Sequence, residues 1–111
     1  MITRTSSAIF AARSARDVTK NMVRVNSSNV WGYNFEVSNE DPNYCTIYMQ
    51  FKNSHGGPGD IYAYYDVPIV VYRRMHTAPS VGHYFWVYIR NKYVTAKLTG
   101  DKKLKQKPKL A

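Results

Sequence analysis

The chain has 111 residues, with 16 Lys+Arg against 7 Asp+Glu, a formal net charge of +9, and 44% hydrophobic residues that include ten tyrosines. That length fits one domain, with or without arms, and the apolar content excludes a wholly disordered basic tail. The single cysteine, Cys45, excludes an intrachain disulfide framework and any cysteine-based zinc site. No apolar run approaches the roughly 18 residues of a membrane helix, so a soluble binding module with no membrane partner is expected.

In chain order, residues 1–26 read as a basic arm, within which Val18, Met22 and Val25 are spaced for one short helix packed on one side. The run VWGYNFEV places Trp31, Tyr33, Phe35 and Val37 on one side and Val30, Gly32, Asn34 and Glu36 on the other, the period of a strand. YCTIYMQFK alternates in the same way, with Cys45, Ile47, Met49 and Phe51 on one face and Thr46, Tyr48, Gln50 and Lys52 on the opposite one. The turn formers SNEDPN between these runs predict an antiparallel hairpin. After the break NSHGGPG, IYAYY predicts a third strand with Ile61, Ala63 and Tyr65 inward and Tyr62 and Tyr64 outward.

The period then lengthens. Asp66-Val67-Pro68 reads as an acidic cap with proline in the first turn of a helix, whose inner side carries Val71, Tyr72 and Met75 and whose outer sides carry Arg73 and Arg74. Pro79-Ser80 ends that helix and caps a second, in which Val81, Tyr84, Phe85, Tyr88 and Ile89 form one apolar stripe. The expected architecture is α+β: a three-stranded antiparallel sheet with two short helices on one face, spanning residues 27–93 and flanked by basic arms at 1–26 and 94–111.

These residues together resemble the KTSC domain, named for its occurrence at the C-terminus of some lysyl-tRNA synthetases and found also as small stand-alone proteins of bacteria and tailed phages. The resemblance rests on Tyr65-Asp66-Val67-Pro68, Val71-Tyr72, Ala78, Ser80, Gly82, Tyr84-Phe85, Ile89-Arg90 and Tyr93. Upstream it includes Ser28, Gly32-Tyr33, Gln50-Phe51-Lys52, Gly59, Tyr62 and Tyr64. It implies the fold, a virion or host-cytoplasm location, and suspected RNA binding. Trp86 departs from it, since a polar residue usually follows the Tyr-Phe pair; with Val87 it leaves the second helix apolar beyond its core stripe.

Catalytic chemistry finds little footing. His55, His76 and His83 lack the spacing of a metal site, SHGGPG lacks the GK[ST] of a phosphate loop, and Asp66 has no second carboxylate or histidine to share proton transfer. No enzyme, cofactor, metal or small-molecule substrate is expected. Gly82, in the first turn of the second helix, permits close approach of a neighbour, and Arg90 is free to pair with Asp66 or to contact a ligand.

Two function classes remain. In the first, the chain is a non-enzymatic interaction protein of a large assembly such as a phage particle, with Trp86, Val87, Arg73, Arg74 and Arg90 meeting protein partners that include copies of itself. In the second, single-stranded RNA or DNA stacks on Tyr48, Tyr62 and Tyr64 beside Lys52, helped by tail residues Lys102, Lys103, Lys105, Lys107 and Lys109. The charge distribution favours the first: residues 29–93 carry five basic and five acidic side chains, so the excess sits toward the ends.

Overall fold

The computed structural model describes residues 13–100. The five lysines of the tail named above lie outside the described residues, as do residues 1–12. Helix α1 (Ala15–Thr19) and strand β1 (Val23–Arg24) lead into β2 (Val30–Val37), β3 (Tyr44–Lys52) and β4 (Pro58–Pro68). Helices α2 (Ile69–His76) and α3 (Val81–Tyr88) follow, and β5 (Thr95–Leu98) closes the series. The strands form one antiparallel meander in the order β1-β2-β3-β4-β5.

The α+β class and the two helices over one face stand, but the sheet has five strands where three were expected. The two additional strands, β1 and β5, come from segments read as arms. Two residues in β1 and four in β5 are too short to show a period of two. The described residues 13–100 carry ten basic and six acidic side chains, so the folded body is itself basic rather than neutral.

Both faces of the sheet are covered. On one, α2 and α3 pack on Tyr33, Cys45, Ile47, Met49, Tyr64 and Val67, burying Tyr72, Met75, Phe85 and Ile89. On the other, α1 inserts Val18 among Tyr48, Ile61, Ala63, Tyr65 and Leu98. The β3 alternation therefore holds, with Cys45, Ile47 and Met49 toward the long helices. For β4 the faces are the reverse of expectation: Tyr62 and Tyr64 face α2 and α3, while Ile61, Ala63 and Tyr65 face α1. Alternation fixes which residues share a face, and when both faces are apolar it does not say which one the helices take.

Asp66 is not a helix cap. It belongs to β4, with φ of 57°. Pairing steps from Ile47↔Tyr64 to Cys45↔Val67, so β4 carries one residue more than β3 there, a bulge in which aspartate tolerates the left-handed backbone. The bulge returns Val67 to the helix-side core, fully buried. Helix α2 instead begins after Pro68, whose side chain makes no capping bond, and the Ile69 N–H donates to the Asn43 carbonyl of the β2–β3 turn at 2.8 Å. Both expected turns form: Asn53 organises the second, its side-chain oxygen accepting from the N–H groups of His55 at 2.9 Å and Gly57 at 3.0 Å.

Helix α1 has its own sequence signal in Ser14 and Asp17, a capping box in which each side chain accepts from the other's backbone N–H. The cap is tied to the sheet by an Arg13–Glu36 ion pair, by Asn34 Nδ2 donating to the Val18 carbonyl at 3.2 Å, and by the Arg16 N–H donating to the Gly100 carbonyl at 3.0 Å. At Gly32 a Cβ would lie 2.7 Å from the Val23 carbonyl oxygen, so the β1–β2 pairing needs glycine there.

Candidate binding cleft

A cleft of about 600 Å³ lies between α3, the 27–29 loop and the adjoining strands. Its deep side is aromatic. Phe51 from β3 meets Tyr62 of β4 at 5.9 Å and Phe85 of α3 at 5.4 Å between ring centroids, and Phe85 meets Tyr64 at 5.2 Å. These edge-on and tilted contacts favour a fixed wall over independently moving rings. Burial pushes the Tyr64 phenol well above its ordinary pKa, reinforced by Tyr62, while the positive charge of Arg90 pulls the other way. Tyr64 is therefore a neutral hydroxyl at physiological pH.

Local sequence sets the cleft's two ends. Ser80 caps α3, its Oγ accepting from the His83 N–H at 3.2 Å, and Ser27 Oγ accepts from the N–H groups of Asn29 and Val30, each at 3.2 Å. A Cβ on Gly82 would stand 3.2 Å from Ser27 Oγ, so the missing side chain lets loop and helix close on each other, as the sequence implied. At the other end the N–H groups of Ile89 and Arg90 both donate to the Phe85 carbonyl, at 3.0 and 2.9 Å, and Asn91 turns the chain away with φ of 61°.

The outer lip is charged and aromatic. The Arg90 guanidinium carbon lies 3.7 Å from the centroid of Trp86, which is 60% exposed. A guanidinium flat on an indole keeps its N–H edge free for an in-plane acceptor. No aspartate or glutamate is among the cleft's lining residues.

The expected site residues are thus dispersed and regrouped. Arg73 and Arg74 are exposed in the last turn of α2, where positive charge complements the helix dipole. Trp86 and Val87 are exposed on α3, as expected, and Tyr88, placed by its spacing on the buried stripe, is exposed too. The tyrosine platform does not exist: Tyr48 is buried beneath α1, its hydroxyl donating to Glu36 at 3.5 Å, whereas Tyr62 and Tyr64 lie on the opposite face. Lys52, half-buried at the end of β3, shares no open face with them.

Tyr65, Val67 and Phe85 are core residues, and Pro68 and Ser80 precede the two helices. Phe51, His83, Asn91 and Thr95 were not singled out as site residues, yet they line the cleft. The available signal was the resemblance pattern, because Ser28, Tyr62, Tyr64, Ser80, Gly82, Phe85 and Arg90 all converge here.

The family model of the KTSC domain matches residues 41–93. This part of the chain is a KTSC domain. The match begins 14 residues later than the 27–93 span expected from the sequence. The crystal structure of a KTSC domain protein from Yersinia pestis is similar in fold, with a TM-score of 0.55 and 23% identity over 70% of this chain and 96% of that one. No curated protein matches the chain significantly. The loop that closes one end of the cleft and the β5 residue Thr95 lie outside the matched residues, so the cleft joins the KTSC domain to flanking segments of this chain.

Proposed function

We propose that the chain is a non-enzymatic interaction module that docks a protein partner, including other copies of itself, through the outward side of α3. The observation that carries this reading is the exposure of Trp86, Val87 and Tyr88, at 60%, 41% and 55%, on a helix whose inner side is already satisfied by Phe85 and Ile89. Large apolar residues left in water side by side mark interaction surfaces, and tryptophan and tyrosine are the residue types most often found to dominate them. Arg90, stacked on Trp86, adds a cation to the same surface. Placement in a phage particle belongs to this proposal and rests on where the family occurs.

The test compares the native chain with Trp86→Ala and Val87→Ser in cross-linking and sedimentation, first alone and then with host-cell or particle proteins. A partner, or a second copy, held by the native chain is expected to be lost by about tenfold or more in the variants, as at an interface hot spot. Equal retention by native and variant chains would overturn the reading, provided all melt at similar temperatures.

A further inference from the structure

The cleft behind the α3 surface has a chemistry of its own. Of its lining, Phe51, Tyr62, Tyr64 and Phe85 supply a connected aromatic wall, while Trp86 and Arg90 supply a stacked lip. Among the described residues the Arg90 side chain makes no hydrogen bond or ion pair; its guanidinium lies over the indole and its charge acts on the Tyr64 phenol. A site with π-faces, a cation whose donor edge is unused, and no carboxylate suits a ligand that is flat and apolar at one end and anionic at the other. The volume of about 600 Å³ lies within the usual range for small-ligand pockets.

We propose that this cleft binds a nucleoside 5′-phosphate unit, its base against the aromatic wall and lip and its phosphate on Arg90. The unit is either a free nucleotide or one residue of a single strand, and the two sources share this chemistry. Ser28 and Asn91, whose side chains make no hydrogen bonds among the described residues, stand at opposite ends of the cleft to meet the polar edges of base and sugar. The proposal concerns the inner wall of α3, and the partner-docking surface concerns its outer side; only the lip is common to both.

The experiment titrates the isotope-labelled full chain with adenosine 5′-monophosphate, followed by backbone and side-chain resonances. Adenosine, ribose 5-phosphate, inorganic phosphate, a single-stranded tetranucleotide and a dipeptide with a C-terminal aromatic residue are run in parallel. Saturable shifts are expected at Tyr64, Trp86 and Arg90, with adenosine and ribose 5-phosphate each weaker by about tenfold, as when a stacking or a charge-assisted contact is lost. Arg90→Ala should weaken the nucleotide by about tenfold as well. Ser28→Trp, which fills the cleft from the loop, should abolish binding, with Thr95→Trp as the replacement if that variant does not fold. Val87→Ser should leave nucleotide binding unchanged while impairing partner docking.

A tetranucleotide that saturates at lower concentration than the mononucleotide identifies a strand as the source, and the reverse order identifies the free nucleotide. The proposal is overturned by shifts confined to the lysines after residue 100, by binding that survives Ser28→Trp, by phosphate alone binding as well as the nucleotide, by a dipeptide with a C-terminal aromatic residue binding equally, or by no saturable shift.

Discussion

The two faces of the sheet are closed in different ways. Toward α2 and α3 the interior is built from large apolar side chains of the sheet and of two eight-residue helices, with Ile47 and Met49 of β3, Met75 of α2 and Ile89 at the end of α3 fully buried. Toward α1 the closure is a five-residue helix with one fully buried apolar side chain, Val18. Polar ties make up much of the rest of that closure: the Arg13–Glu36 pair, the Asn34 amide and the Arg16–Gly100 backbone bond. A helix of five residues has no stability of its own in water, so α1 is held by what it touches. The long-helix face is the part that makes the fold, and the α1 face is the part that can open without destroying it.

Four measurements test that contrast. Met75→Ala removes a buried side chain from the long-helix face and should cost about 2–5 kcal/mol in urea unfolding. Val18→Ala removes the apolar anchor of α1 and should cost about 1–2 kcal/mol, the transfer value of the lost methyl groups. If the second loss equals or exceeds the first, the two faces are equal partners and the contrast fails.

The third measurement uses the phenols. Burial raises the pKa of Tyr64 and Tyr72 on one face and of Tyr48 and Tyr65 on the other; Tyr72 reaches about 12, with Tyr33 and Cys45 adding to the rise. Because the folded state resists losing these protons, their contribution to stability is fully present below the unfolded tyrosine value of 10.0 and declines as pH rises above it. Within that window, Tyr48 and Tyr65 should ionise before Tyr64, whose phenol burial on the other face raises to a similar degree, as seen by tyrosine-resolved titration, if α1 opens locally. Simultaneous ionisation would mean that the sheet opens only as a whole. The smallest effect is expected from Arg13→Ala, less than about 1 kcal/mol and largely gone at high salt, because the pair is exposed.

Much of this fold is legible in the sequence where a face or stripe is long enough to repeat. The alternation of β3 and the spacing of Tyr72, Met75, Phe85 and Ile89 are read directly, whereas in β2 the alternation holds for Tyr33 and Phe35 but a bulge at Trp31 turns Val30, expected on the opposite side, into the helix-side core. Three features are not legible for separate physical reasons. Strands β1 and β5 are shorter than any period. The Asp66 bulge shifts the phase of β4 by one residue, so an aspartate next to a proline mimics a helix start. The apolar residues Ile61, Ala63 and Tyr65 suit burial under a helix, but the helix they meet is α1, drawn from a segment whose basic composition resembles an arm. The cleft was hidden for a related reason: Phe51 and Phe85 read as core while Tyr62 and Tyr64 were expected on the face away from the helices, so the wall the four form together appears only once β4 is seen to turn its tyrosines toward α3.

The meander has a kinetic consequence. Strands β1 to β4 each pair with the next in the chain through a short turn, so this part of the sheet can grow one hairpin at a time, whereas β5 joins β4 only across the two helices between them. The bond from Arg16 to the Gly100 carbonyl is different, since it joins the two ends of the described chain across the whole sheet. Closing so long a loop gains nothing until the strands between are in place. The α1 face should therefore be the last to assemble and the first to exchange its amide protons, a clasp fastened over a sheet that has already formed.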